Sequence, residues 1–206
     1  SDNGPLNDFS KVGLRGRKSH VWEGGHRVPG LFRWPGRIAA GSVCEEPIGG
    51  VDFLPTVCEI VGIDPPGDRV IDGTSLYPLL QGKPQAFNRK NPLYWFFYRL
   101  NPAIAMRDGN WVIIAESNDS QRLKSHPLIR EDVAKIKSSR PVSYELYDLD
   151  EDLSQRTNVA SLNPRVVAKM KERLMKFHRE VVTEGPAWDI PDNYSADAKK
   201  RIWNSE

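Results

Sequence analysis

Two neighbouring side chains near the start of the chain, Asp2 and Asn3, carry a carboxylate and an amide carbonyl. Both are hard oxygen donors, which Ca²⁺ and Mg²⁺ take in preference to nitrogen or sulfur. Adjacent residues on an extended chain point to opposite faces. Gly4 and Pro5 follow at once and supply a bend that would let both groups reach one ion. The same residue types also build an Asx-type turn with no ligand, and on residue types alone that reading stands beside the metal one. A second segment, Leu14 to Gly30, gathers Arg15, Arg17, Lys18, His20, His26 and Arg27 around one acid, Glu23. Lysine is a compact point charge that suits a sulfate or phosphate oxygen. Gly16, Gly24 and Gly25 let backbone approach a ligand closely. Taken singly, Lys18 also reads as a solvated charge and Glu23 as the salt-bridge partner of a nearby arginine. Together the two segments suit a site that holds a hard metal ion and an oxyanion.

The elements that must position these groups are legible in outline. Residues 1–36 read as loop and strand around the site. Val51, Leu54, Cys58 and Val61 recur at helical spacing and predict a helix over 52–62. Asp52 is its candidate N-cap, Pro55 falls in the first turn, and Gly62 is a fitting stop. Leu76 to Leu80 predicts a short helical turn. From about residue 92 aromatic and β-branched strands take over: Leu93 to Tyr98, Ala103 to Arg107, Asn110 to Ala115 and Tyr144 to Leu149. Asp108-Gly109 reads as the hairpin turn between the second and third of these. Residues 117–142 read as a polar surface insertion with some helix at 128–137. Asn163-Pro164 opens a last helix, with Val167, Met170, Leu174, Phe177 and Val181 as its core stripe. Residues 185–206 read as a loosely held tail.

The two N-terminal segments resemble the formylglycine-dependent sulfatases of the alkaline phosphatase superfamily. Those proteins carry a Ser-Asp-Asn-Gly motif at a strand end, then a Leu-Arg-Gly-x-Lys-x-x-x-x-Glu-Gly-Gly-x-Arg-Val-Pro segment; Ser1 to Gly4 and Leu14 to Pro29 are similar to both. The resemblance continues in order through Leu31-Phe32-Arg33-Trp34-Pro35-Gly36, similar to the family's strand after the lysine loop. It then runs through Val51 to Thr56, Asp72 to Leu76, Pro78 to Gly82, Ala105 to Trp111 and Glu145 to Leu149. It implies that Asp2 and Asn3 are two of the ligands of an active-site Ca²⁺, with Mg²⁺ the less favoured ion. It implies that Lys18 is both catalytic and substrate-binding, contacting the sulfate. Asparagine also fits calcium better than the histidine-rich sites of two-zinc relatives. Ser19 stands where many members have glycine, and His20 where a small residue is common. The family's nucleophile motif, Cys/Ser-x-Pro/Ala-x-Arg, is matched by neither Cys44 nor Cys58.

The implied fold is α/β: the end of a large alkaline-phosphatase-like α/β domain over residues 1–85, then a small α+β subdomain over 86–184. In that subdomain an antiparallel sheet is covered by the C-terminal helix, and a tail follows over 185–206. The implied function is hydrolysis of aryl or carbohydrate sulfate esters. The formylglycine nucleophile is expected upstream, on the rest of the same polypeptide, so this chain alone is expected to be inactive. Its first third is expected to expose apolar faces that lack their partners. A periplasmic, secreted or lysosomal location follows from the same resemblance. Alternatives are a phosphodiesterase or phosphonate hydrolase of the same superfamily, or a descendant that binds a sulfated ligand without catalysis. With 29 Lys+Arg against 27 Asp+Glu, the chain is not the strongly basic surface of a nucleic-acid binder. No stretch approaches the roughly 20 apolar residues of a membrane span. Two cysteines do not fix a compartment; Cys58 reads as a buried thiol, and its pairing with Cys44 stays open. The sequons at Asn118 and Asn193 carry no weight.

Overall fold

The computed structural model describes residues 1–6, 13–98, 102–117 and 130–185. The sequons and the tail beyond 185 lie outside them. Contacts divide the chain into two compact units, one of Ser1 with Pro29–Leu93 and one of Asp2–Val28 with Tyr94–Glu206. The division at residue 85 concerns the two domains of the resembling family, a separate question from this grouping.

The second unit is built on four strands in the order β1-β2-β3-β4: β1 Leu93–Phe97, β2 Ala103–Asp108, β3 Trp111–Ser117 and β4 Pro141–Asp148. β2 pairs with β3 and β3 with β4, both antiparallel. Asp108 faces Trp111, so the hairpin loop is Gly109-Asn110, one residue later than the sequence suggested. Gly109 has φ 60, which a two-residue hairpin loop of this kind requires and glycine supplies without strain. Val112-Ile113-Ile114-Ala115 is an unbroken apolar run, the mark of a strand buried on both faces. One face (Ile104, Met106, Ile113, Ala115, Leu146) is covered by α5, Pro164–Glu184, through Met170 and Leu174. The other (Ala103, Ala105, Val112, Ile114, Tyr147, Leu149) is covered by Val21 and, in part, Trp22. The segment that carries Lys18 is thus the second lid of this sheet.

Helix α5 buries His178 as well as Met170 and Leu174. Burial pushes the Tyr94 hydroxyl up, so it stays protonated, and it shares a hydrogen bond of 2.7 Å with His178 Nδ1. Asn163 precedes Pro164 as expected, but its side chain does not cap: Nδ2 donates backward to Val159 O at 3.0 Å. Helix α4, Arg130–Ser138, falls within the polar insertion.

The first unit holds α2, Phe53–Val61, after a 3₁₀ turn at Gly50–Asp52, and α3, Tyr77–Leu80. Gly62 closes α2 with φ 74, and Ile63 N donates to Cys58 O. The stripe of Val51, Leu54, Cys58 and Val61 is left largely to solvent. Only Cys58 of the four residues is buried, while Val51, Leu54 and Val61 are about half exposed, as are Phe53 and Val57. Pro55, Thr56 and Cys58 form the buried side instead. Thr56 is held by two bonds, donating to Asp52 O and accepting from Leu76 N. Asp52 stands at the N-cap position, but its carboxylate serves other partners. It accepts from Gly49 N and Thr74 N at 2.8 Å and from the Arg89 fork at 3.1 and 2.7 Å. Cys44 is exposed and both cysteines are free thiols. The strand expected within residues 1–36 is absent among the described residues; α1, the single turn Glu23–His26, is the regular element there.

Candidate functional site

Two backbone hydrogen bonds join the Asp-Asn segment to the lysine loop. Gly4 N donates to Gly25 O and Lys18 N donates to Pro5 O, each at 2.8 Å. Asp2-Asn3 therefore leads into a segment whose next residues touch both ends of the loop that bears Lys18. The approach is close enough to demand glycine. A Cβ on Gly4 would lie 1.9 Å from Gly24 O, and one on Gly25 would lie 2.0 Å from His20 O. Asp2 and Lys18 are exposed and Asn3 is half-buried. Asn3 Nδ2 donates to Gly4 O at 2.7 Å, so the amide nitrogen is engaged and the amide oxygen is the atom that could be offered to a cation.

The loop is folded by the rest of its own charges. Gly25 N donates to Trp22 O and Arg27 N to Glu23 O, which closes the single turn of α1. Glu23 is 2% exposed, and Arg27 Nε donates to its carboxylate at 2.5 Å. A lone buried carboxylate would be costly; the paired guanidinium makes it tolerable. His26 stacks on Trp95 with centroids 4.0 Å apart, and its Nε2 donates to Val21 O at 3.1 Å. Burial pulls His26 below the usual imidazole range, outweighing the opposing pull of Glu23. Arg15 turns onto the sheet, where Nη1 donates to Tyr147 Oη at 2.5 Å and its guanidinium covers the Trp22 ring at 4.4 Å. Of the six cations read from sequence, Arg15, His26 and Arg27 have these partners, with the Arg15 and Arg27 side chains still 40% and 37% exposed, and Arg17 and Lys18 are exposed as well. Ser19, beside Lys18, has φ 74. Any side chain there carries strain of about 1–3 kcal/mol.

Oxygen donors without a thiolate or imidazole suit a hard divalent cation. Among the described residues, no group of three or more His, Cys, Asp and Glu stands together as a metal site, so this stretch offers the Asp2-Asn3 pair and no more. The residues that sequence reading missed are Gln155, Glu145 and Tyr147, which hold the loop from 130 residues away or more. Only the Glu-Leu-Tyr string pointed toward two of them. No helix among the described residues is long and apolar enough to cross a membrane.

Comparison with known proteins bears on the family of the chain. Residues 16–180 match the family described as N-sulphoglucosamine sulphohydrolase, C-terminal. A sulfatase of Formosa agariphila is 33% identical over 168 residues, 80% of this chain and 28% of that protein. Rat steryl-sulfatase (Rattus norvegicus) is 51% identical over 83 residues, 40% of this chain and 14% of its own length. Human (Homo sapiens) arylsulfatase D is 61% identical over 77 residues, 37% of this chain and 13% of its own length. In fold, the chain resembles Ps i-CgsB with a TM-score of 0.65 at 23% identity, covering 98% of this chain and 39% of that one. A structure from work on the metabolism of multiple glycosaminoglycans by Bacteroides thetaiotaomicron gives a TM-score of 0.53 at 23% identity, over 84% of this chain and 32% of that one. The matched stretch is a minor part of each relative's length, and within that stretch the chain belongs to the sulfatase family, corresponding to its C-terminal region.

Proposed function

We propose that this chain supplies one wall of the active site of a sulfate-ester hydrolase acting on aryl or carbohydrate sulfates. Asp2 and Asn3 would be two ligands of a Ca²⁺ ion, and Lys18 would bind the sulfate group. What carries the reading is the pair of backbone bonds, Gly4 to Gly25 and Lys18 to Pro5, that tie the oxygen-donor pair to the lysine loop. When bound, the calcium supplies Lewis-acid polarisation of a sulfate oxygen, and a formylglycine on another part of the protein supplies the nucleophile. The residues of this chain orient and neutralise. The Lys18 ammonium faces solvent on a loop clamped at both ends, so it meets a sulfate oxygen with little reorganisation. It stabilises negative charge as the ester bond lengthens.

The half-exposed side of α2, with Phe53, Leu54, Val57 and Val61, supports the same reading. A contiguous apolar surface of this kind marks an interaction face. The proposed occupant is the remainder of the catalytic portion, which the matched relatives possess and this stretch lacks.

In the intact protein, Lys18→Ala should lower turnover of an aryl sulfate by about two to three powers of ten. Asp2→Ala should lower the calcium content measured by elemental analysis. Wild-type turnover in the lysine variant, or faster turnover of an aryl phosphodiester than of the aryl sulfate by the wild type, would overturn the proposal.

A further inference from the structure

The lysine loop is not anchored mainly by its own turn. Arg15 N donates to Ser154 O at 3.3 Å, and Arg15 O accepts from Gly24 N at 2.7 Å, so one residue bonds both the far turn and the base of the loop. Its guanidinium is gripped on several sides. Nη1 reaches Tyr147 Oη at 2.5 Å, Glu145 Oε2 at 3.4 Å and Gln155 O at 3.5 Å. Tyr147 Oη in turn donates to Glu145 Oε2 at 2.7 Å. Burial, then the Glu145 carboxylate, pushes the Tyr147 hydroxyl up, so it remains a neutral O–H able to donate and accept at once. The Trp22 ring lies against the guanidinium at 4.4 Å, and the Arg15 side chain keeps 40% of its surface exposed.

Gln155 is a second anchor. It is fully buried, and its Oε1 accepts from Glu23 N at 2.6 Å, a first-turn donor with no partner inside α1. Gln155 has φ 55, outside the ordinary range for a side-chain-bearing residue. The surrounding turn imposes that conformation: Gln155 N donates to Asp152 O, and the Asp152 carboxylate accepts from Arg156 N and Thr157 N at 2.6 and 2.8 Å. Strain of this kind persists only where neighbours over-determine it, and here it aims the amide oxygen at the loop.

We propose that Arg15 and Gln155 are positioning residues for Lys18, through which β4 and the turn at 152–157 hold the lysine loop in register with the Asp2-Asn3 segment. This deepens the function proposed above and rests on it. The small sheet would then serve the chemistry directly, because its strand β4 presents Glu145 and Tyr147 on the face that the loop covers. Arginine is specific in this role: lysine keeps the charge but loses the planar group that lies over Trp22.

The test is a double-mutant cycle in the intact protein, read as kcat/KM on an aryl sulfate. Arg15→Lys and Gln155→Met are each made in the wild type and in Lys18→Ala. Each should cost about tenfold with Lys18 present and less than about twofold without it, because the loss runs through a misplaced ammonium. Tyr147→Phe, nearly isosteric, is the variant least able to disturb folding and should behave as Arg15→Lys does. Hydrogen exchange at the amides of residues 18–25 should quicken by about tenfold in all three. Equal losses in both backgrounds, or unchanged exchange at 18–25, overturn the proposal. If Lys18→Ala alone keeps full activity, the catalytic reading fails, and the exchange rates by themselves decide whether Arg15 and Gln155 hold the loop.

Discussion

Replacing Gly4 by alanine should damage the proposed site without touching any residue that meets substrate. The new methyl carbon would lie 1.9 Å from Gly24 O, 2.9 Å from Gly24 C and 3.2 Å from Gly25 C. Carbon and a non-bonded heavy atom are comfortable at about 3.5 Å, so the two segments must part by roughly 1.5 Å along the closest approach. The Gly4 N–Gly25 O bond is 2.8 Å long, and such an opening carries it past the roughly 3.2 Å limit of a good hydrogen bond. Neither neighbour is a side chain that can swing aside; both are backbone. Overpacking of this kind costs about 1–3 kcal/mol. A displacement near 1 Å between reacting groups costs about a hundredfold in rate. Turnover of an aryl sulfate by the intact Gly4→Ala protein should therefore fall about a hundredfold, with a lowered melting temperature. Activity within about threefold of wild type would refute the close apposition from which the loss is reasoned.

Other consequences are independent of that contact. Asp52→Ala leaves the Arg89 fork and the Gly49 and Thr74 amides without their shared acceptor, and Asp52 is 0% exposed. Denaturant unfolding should show a loss of about 3–5 kcal/mol; a change under about 1 kcal/mol would mean that water replaces the carboxylate freely. Burial, with Arg140 adding to it, holds His178 below the usual imidazole range. The unfolded chain then binds more protons than the folded one as pH falls below about 6.5, so stability is full above that value and declines beneath it. The melting temperature should drop from pH 7.5 to pH 5, and less steeply in His178→Gln; identical slopes would remove His178 from the account.

The sequence disclosed elements more readily than partners. Pro164 and Gly62 marked helix ends because their backbone requirements are local. The Val112–Ala115 run announced a strand, yet its lack of alternation held a further message, burial on two faces. His178 was overlooked because it is polar, although it continues the spacing of Met170 and Leu174 by four residues and is equally buried. The α2 stripe was readable as a helix, and its exposure was expected only through the family resemblance, because helical period reports which residues share a side and not what covers it. Within the candidate site, Asp2, Asn3 and Lys18 were visible as chemistry. Arg15 looked like one more surface cation, since its partners Tyr147 and Gln155 lie 132 and 140 residues away and no local rule connects them. Gln155 gave no signal at all: a glutamine after Leu153-Ser154 in a polar turn is ordinary until Glu23 N is placed beside it.

The account depends on Asp2, Asn3 and Lys18 converging on one tetrahedral anion. A crystal structure of the intact protein with calcium and a non-hydrolysed sulfate ester measures this directly. It should place the Asp2 carboxylate and the Asn3 amide oxygen about 2.3–2.6 Å from the cation. The Lys18 ammonium should lie about 3 Å from an oxygen of the same sulfate group. Calcium bound without Asp2, or a sulfate group held with Lys18 turned into solvent, would contradict it.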